Sequence, residues 1–518
     1  MKEAHHNRSQ SSLPLLPVAD NSPPPSPLCP PRLKSRSTVL ELLPCRRRFL
    51  VLTCASLSFV SLVALSLLTV SRSYSPFALS DVATVVPSPS AAPSPNATVP
   101  EPVVDAVVEV PHSPYLLGPP TASFRDNLRN DTKYITSWIS AGWNNDVMTY
   151  ANLIYLGKIT DRIPVVGIFT PSHIGGDVPP IAFSEVFDVP RFIKDSGINM
   201  VEWDEVKDPD SEVLDDLGCW NIWETVQYYE HFPRGSPIPD WVGLDLSYTR
   251  APDWMKLIPN YEHDKCSTFW ALARLAYPED RQRALGTPTT SPQHHAVLDP
   301  DEHMVCYDYL YYACAQQSGE WESEYAPQWR EVAKHMRWHP DLERIAGLYV
   351  NRVFDLPDDA EVPPYITVHA RHGDFGDWCW QAEKPEDCFA PLSAVELRVR
   401  EVQEEIRQKK GIDIPMSRVI MTSDEKNQTW WDDVKARGWV RMDHEALRTV
   451  ERYGRWYPLI LDSVIQSSGH GFVGTDLSTF SILSKRRVLD WHNGSARMVR
   501  WGFKEADAHR KRMLLESE

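Results

Sequence analysis

Tyr365-Ile366-Thr367-Val368-His369-Ala370-Arg371-His372-Gly373-Asp374 decides the fold. Its first six residues carry no fixed charge and are rich in β-branched and aromatic types, which predicts a strand. The lack of polar alternation predicts burial on both faces, as in a parallel sheet covered by helices. Gly373-Asp374 then ends the run as a turn. Ile163–Phe169, Arg418–Thr422 and Gly471–Thr475 read the same way. Helix-length segments separate these runs, and Glu396–Lys409 reads as an exposed helix between two of them. Alternation of this kind predicts an α/β fold with two layered domains, residues 131–360 and 361–518.

Ligands of open α/β sheets bind beyond the carboxyl ends of the strands. Arg371 stands at such an end. A guanidinium there can pair with two diphosphate oxygens and stabilise charge as a glycosidic bond breaks. An ordinary ion pair with a nearby carboxylate is the alternative. A second candidate is Gly471-Phe472-Val473-Gly474-Thr475-Asp476-Leu477-Ser478-Thr479-Phe480-Ser481-Ile482-Leu483, with a strand ending near Thr475 and a helix opening near Ser478. Ser478 and Thr479 can cap helix amides, or the free amides can hold an anion. That helix is expected to end at Lys485-Arg486-Arg487, which would suit its negative terminus. A third candidate is Ser140-Ala141-Gly142-Trp143-Asn144-Asn145-Asp146, whose Gly and paired Asn permit a tight turn close to a ligand.

Charge excludes one class of function. With 53 Lys and Arg against 70 Asp and Glu, the net charge is -17, the wrong sign for a nucleic-acid binder. Phe49–Val70 is an uncharged run of 22 residues preceded by Arg46-Arg47-Arg48. About 20 apolar residues span a bilayer as a helix. Residues 1–48 carry eight basic residues against three acidic ones, so this tail is expected in the cytosol, the anchor at 49–70 and the remainder in the lumen. Residues 71–130 are rich in Pro and Ser and read as an extended stem. The expected location is therefore the Golgi or endoplasmic reticulum membrane, single-pass and type II. Sequons begin at Asn96, Asn130, Asn427 and Asn493.

Six cysteines follow the anchor: Cys219, Cys266, Cys306, Cys314, Cys379 and Cys388. An even number in an oxidising compartment suggests up to three disulfides, with Cys379–Cys388 closing a short loop. No Cys/His spacing resembles a zinc site. Asp208-Pro209-Asp210 and Asp299-Pro300-Asp301 match the spacing that holds a divalent cation, but among Pro and acids they read as solvated loops. Trp321, Trp329 and Trp338 read as core.

Taken together, the three candidate motifs resemble the GDP-fucose protein O-fucosyltransferase family. The resemblance covers about residues 138–502, and Thr422-Ser423-Asp424-Glu425 is similar to its Thr-Asp-Glu segment. It implies a GT-B fold, two Rossmann-like domains facing a cleft, here behind a single transmembrane helix and a Pro-rich stem and ending in a C-terminal helix. It implies inverting transfer of fucose from GDP-fucose to a protein or glycan hydroxyl, with no metal or other cofactor. Arg371 would then contact the diphosphate as the catalytic residue. Asn145 would lie near the sugar and diphosphate, and His369 would line the nucleotide pocket. Asp374 and Asp424 would belong to the substrate site, and Ser478, Thr479 and Phe480 would bind phosphate and nucleotide. The chain departs from the family pattern in two places. Trp143, Asn144 and Asn145 stand where members often carry Arg or Glu, which leaves Asp146 as the local carboxylate. His470 stands where an acid often reads guanine. Another nucleotide sugar as donor, or a non-catalytic luminal binding module, are the alternatives.

Overall fold

The computed structural model describes residues 112–507, apart from 173, 228, 380, 381, 383, 385, 386 and 505. The cytosolic tail, the anchor, most of the stem, the Asn96 sequon and the expected C-terminal helix lie outside the described residues. Among the described residues no helix is long and apolar enough to cross a membrane.

Thirteen strands are described. A six-stranded sheet takes β1 (Tyr134–Ser137), β2 (Ile163–Val166), β3 (Val201–Glu202), β4 (Asp215–Asn221), β5 (Leu244–Arg250) and β7 (Met304–Tyr307), in the order β3-β2-β1-β7-β4-β5. A five-stranded sheet takes β9 (Ile366–Ala370), β10 (Val419–Ser423), β11 (Val440–Arg441), β12 (Gly471–Thr475) and β13 (Ser495–Val499), in the order β11-β10-β9-β12-β13. β6 (Ser267–Thr268) and β8 (Ala313–Cys314) form a separate pair. Every pairing between these strands is parallel. Burial explains the choice: all five residues of β9 and of β12 are buried, which requires helices on both faces.

Six helices position the site: α1 (Trp143–Thr160), α2 (Pro340–Val353), α3 (Leu392–Lys410), α4 (Gln428–Ala436), α5 (Tyr457–Ser468) and α6 (Thr479–His492). Val395, Val399, Val402 and Ile406 recur at helical spacing on α3 and pack against Ile366, Val368, Val419 and Val473 of the five-stranded sheet. Burying each such side chain contributes about 1.5–3 kcal/mol. The polar face of α3 carries the pairs Glu396–Arg400 and Glu405–Lys409. The helix stops at Gly411, whose φ of 67° is left-handed. The other face of this sheet is covered by α5 and α6. Their residues Ile460, Leu461, Val464 and Leu483 belong to the same core as the six-stranded sheet and α1. The described residues accordingly belong to one compact unit.

One expectation is corrected here. The last helix does not end at Lys485-Arg486-Arg487 but runs on to His492. Arg486 and Arg487 are buried mid-helix, over the rings of Trp329 and Trp338 at 5.1 Å and 4.2 Å, and burial pushes the Arg487 guanidinium down to about 9. Trp321, Trp329 and Trp338 are core, as expected, and sit in 3₁₀ and π turns and a loop. The disulfides are Cys219–Cys306, Cys266–Cys314 and Cys379–Cys388. The first fastens β4 to β7 inside the six-stranded sheet.

Candidate active site

Arg371 is the first residue beyond β9, as the sequence predicts. Its backbone N–H donates to the Thr475 hydroxyl at 2.9 Å, and that hydroxyl donates to the His369 carbonyl at 3.1 Å. β9 is thereby tied to β12 just where both strands end. The guanidinium is half-buried between two carboxylates, with Nη2 2.5 Å from Asp374 Oδ1 and Nη1 2.7 Å from Asp424 Oδ2. The ion-pair alternative and the site reading therefore meet at one residue. Asp424 also accepts the His372 N–H at 2.8 Å. Gly373, at a φ of 24°, lies so close to this carboxylate that a Cβ would collide with it. Asp424 is thus fixed, whereas Asp374 is exposed and free to turn away.

His369 is buried. Its Nδ1 lies 2.8 Å from the Ser481 hydroxyl, and its ring stacks on Phe480 at 4.8 Å. Burial, reinforced by the Arg371 charge, lowers its pKa to about 3. It is neutral at physiological pH and lines the cavity without adding charge. The Ser481 hydroxyl accepts the Thr475 N–H at 3.0 Å, so its own proton can be directed at His369 Nδ1. That arrangement leaves the ring proton on Nε2. Gly474 permits the approach of α6, because a Cβ there would come within 2.6 Å of Ser481 Cβ.

α6 opens as the sequence predicts. Leu477 adopts a left-handed φ of 63°, costly for a side chain of its size. The turn ends at Ser478, and the hydroxyl of this N-cap residue makes no capping bond. Ser478 and Thr479 so leave the first amides of α6 available to an anion. A cavity at the carboxyl ends of β9, β12 and β13 is lined by His369, Arg371, His372, Thr475, Arg500 and Trp501, with Phe389 and Val395 on the α3 side. Around it His372 stacks on Phe389 at 4.2 Å, and Phe375 packs on Trp501 at 4.5 Å.

Asn145 belongs to the other sheet, in the first turn of α1. It is half-exposed, and its side-chain amide makes no hydrogen bond within the described residues. Asp146 is buried, accepts the Ala141 N–H at 3.0 Å, and is pushed well above the usual carboxylate range by burial. It shapes the loop and is not presented to a ligand. Arg234 donates to the Ser140 carbonyl at 2.7 Å and lies over the Trp223 ring. Trp143 faces Trp456 at 6.0 Å, and Trp456 Nε1 donates to the Pro179 carbonyl at 2.8 Å. Trp456 stands just before α5. A helix that connects parallel strands runs back against them, so its start lies where the strands end. The α1 loop therefore meets the five-stranded sheet on that side.

His470 stands just before β12, as the sequence places it. Its N–H donates to the Tyr365 carbonyl at 2.8 Å, which puts it at the start of β12. Arg371 lies at the opposite end of the strands. With about 3.3 Å of rise per residue, His470 cannot share a ligand with Arg371. The two Asp-Pro-Asp loops are engaged elsewhere: Asp208 accepts the Asp210 N–H, and Asp301 pairs with Arg125 at 2.9 Å. A further group, Asp216, Asp245 and His294, converges near the starts of β4 and β5. There Asp245 already accepts the Ser291 hydroxyl and the Gln293 and His294 N–H groups. Sequence reasoning missed Thr475 as a tie, Ser481 and Arg500. Thr475 and Ser481 do lie in the quoted motif, but their roles depend on which strand pairs with β12.

The family model of GDP-fucose protein O-fucosyltransferase matches residues 134–489. Comparison with curated proteins gives no match. Among solved structures, the chain is similar to POFUT1 in complex with GDP-fucose, at 15% identity, covering 73% of this chain and 99% of that one, with a TM-score of 0.42. For POFUT1 in complex with GDP the values are 14%, 72%, 99% and 0.43. For the fucosyltransferase NodZ from Bradyrhizobium they are 13%, 69%, 93% and 0.33.

Proposed function

The chain belongs to the GDP-fucose protein O-fucosyltransferase family, which makes it a glycosyltransferase, and we propose that it transfers fucose from GDP-fucose, with inversion, to a hydroxyl of a protein or glycan. The observation that carries this reading is the juxtaposition of Arg371 with the uncapped start of α6, joined through Thr475. A diphosphate seated there would meet a guanidinium fork on one side and free helix amides on the other. Departure of GDP places new negative charge on the diphosphate, and these groups are pre-positioned to stabilise it. Neutral His369, stacked on Phe480, would face the nucleotide, and Asn145 would approach the sugar from the other sheet. The fold assigned to this reaction is GT-B. No divalent cation is assigned to it.

The same reading places the enzyme on a Golgi or endoplasmic reticulum membrane, type II, through the span at 49–70, with the catalytic part in the lumen. Sealed microsomes treated with protease should protect everything after residue 70. The donor is tested by thermal shift with GDP, UDP and CDP and their sugars, since a ligand that binds only the folded state raises its stability. GDP and GDP-fucose should give the largest shifts. A larger response to another nucleotide would reassign the donor, and no response to any would favour a binding module. Activity should survive EDTA; a metal-reversible loss would return attention to Asp208/Asp210 and Asp299/Asp301.

A further inference from the structure

Arg371 by itself brings no net positive charge to the cavity. Its amino groups face the carboxylates of Asp374 and Asp424, and Glu425 stands 2.6 Å from the neighbouring His372. A nucleoside diphosphate carries at least two negative charges, so a further cation at the same place would strengthen its binding.

The register supplies one. β12 pairs with β9 through Gly474 and His369, and with β13 through Thr475 and Val499. Arg371 and Arg500 are therefore each the first residue beyond the carboxyl end of a strand flanking β12. Their backbones are two strand spacings apart, about 10 Å. α6 opens between them, because it follows β12. Both arginines line one cavity. Unlike Arg371, which pairs with Asp374 and Asp424, Arg500 has no carboxylate at ion-pair distance from its guanidinium among the described residues. Asp476 feels its charge from farther off. The chain is held on both sides of its side chain. The Arg500 N–H donates to Asp507 at 3.4 Å, and Trp501 Nε1 donates to the Asp476 carbonyl at 2.8 Å. Nearby Arg497 is different, since it pairs with Glu405 at 2.7 Å and with Glu401 at 3.5 Å.

We propose that Arg500 is the second cationic contact of the donor's diphosphate, on the opposite side of the first turn of α6 from Arg371. This rests on the donor reading given above. The two guanidinium groups would grip the diphosphate from both sides, while the helix amides meet it from below.

Calorimetric titration of the purified full chain with GDP and with guanosine tests the assignment. Arg500→Gln should weaken GDP binding about tenfold to a hundredfold, as expected for loss of a charged hydrogen bond, and leave guanosine binding unchanged. Arg500→Lys should recover part of the loss. Arg497→Gln should stay within about twofold of the wild type, since its charge is already matched. Equal losses for GDP and guanosine in Arg500→Gln, or an equal loss in Arg497→Gln, would overturn the contact. A wild-type chain that takes up no GDP overturns the donor reading and this assignment with it. A chain that binds GDP equally well whatever stands at residue 500 overturns this assignment alone.

Discussion

Arg371 and Asp424 form a fixed pair: Nη1 lies 2.7 Å from Oδ2, and the other carboxylate oxygen accepts the N–H of the next residue, His372. Asp424 thus sets the plane of the guanidinium and cannot leave it without releasing the turn that follows β9. The pair positions a fork, and the fork is what a diphosphate needs.

Arg371→Ala should lower the transfer rate by about 10²–10³, the usual effect of removing a charge-stabilising group. Arg371→Lys keeps the charge but not the planar fork and should not restore the rate. Single-turnover transfer, with circular dichroism to confirm folding, checks this. A folded alanine variant with near wild-type transfer would remove Arg371 from the mechanism.

Asp374→Asn should tighten GDP binding. The exposed Asp374 carboxylate lies against the same guanidinium edge that a phosphate would take. Exposed ion pairs contribute about 0–1 kcal/mol, so the gain in affinity should be no more than about fivefold. Titration calorimetry measures it, and weaker binding would show that Asp374 contacts the donor directly.

Thr475→Val should cost both stability and rate. It removes a buried hydroxyl that accepts from Arg371 and donates to His369. Each buried polar group left without a partner costs about 1–3 kcal/mol. Denaturant unfolding should show that loss, and the turnover of the folded fraction should also fall, because Arg371 is no longer anchored. Unchanged turnover would confine Thr475 to a structural role.

Asp308 makes stability depend on pH. It is buried just after β7 and accepts N–H groups from Ile222, Trp223 and Arg234, yet burial raises it to about 7. The folded chain holds this proton more tightly than the unfolded chain, so the contribution of Asp308 to stability falls as pH rises from about 4 to about 7. Asp308→Asn should flatten that part of the profile. Denaturation midpoints between about pH 4 and about pH 8 test it, and an unchanged slope would sink the idea.

Asn130, Asn427 and Asn493 are all exposed, so a luminal chain should carry glycan on at least one of them. Asn427 uses its side-chain oxygen to cap α4 through Thr429 N–H, leaving its nitrogen available. Endoglycosidase treatment should increase gel mobility. Unaltered mobility would count against both the modification and the luminal assignment.

The sequence made β12 legible to the residue, and β9 and β10 nearly so, because strands buried on both faces read as unbroken apolar runs. β4 was not legible. Asp215-Asp216-Leu217-Gly218-Cys219-Trp220-Asn221 reads as mixed and polar, and its place in the sheet rests on ladder bonds and the Cys219–Cys306 disulfide. Arg371 and Ser478–Phe480 were legible because a strand end followed by a helix start is a local pattern. Arg500 was not, since nothing local marks it. Its place depends on β13 lying beside β12, a pairing between segments that flank the whole of α6. His470 precedes β12, and the parallel pairing of β12 with β9 is what puts it at the opposite end of the strands from Arg371.

The Cys379–Cys388 bridge begins immediately after the 3₁₀ turn at Gly373–Trp378 that carries Asp374. Closing the segment that follows Asp374 therefore requires oxidation of two thiols. Preparations made where thiols are kept reduced would contain molecules with a complete core and an untethered loop. The fraction of active molecules in a sample would then record where the protein was made as well as which residues it contains.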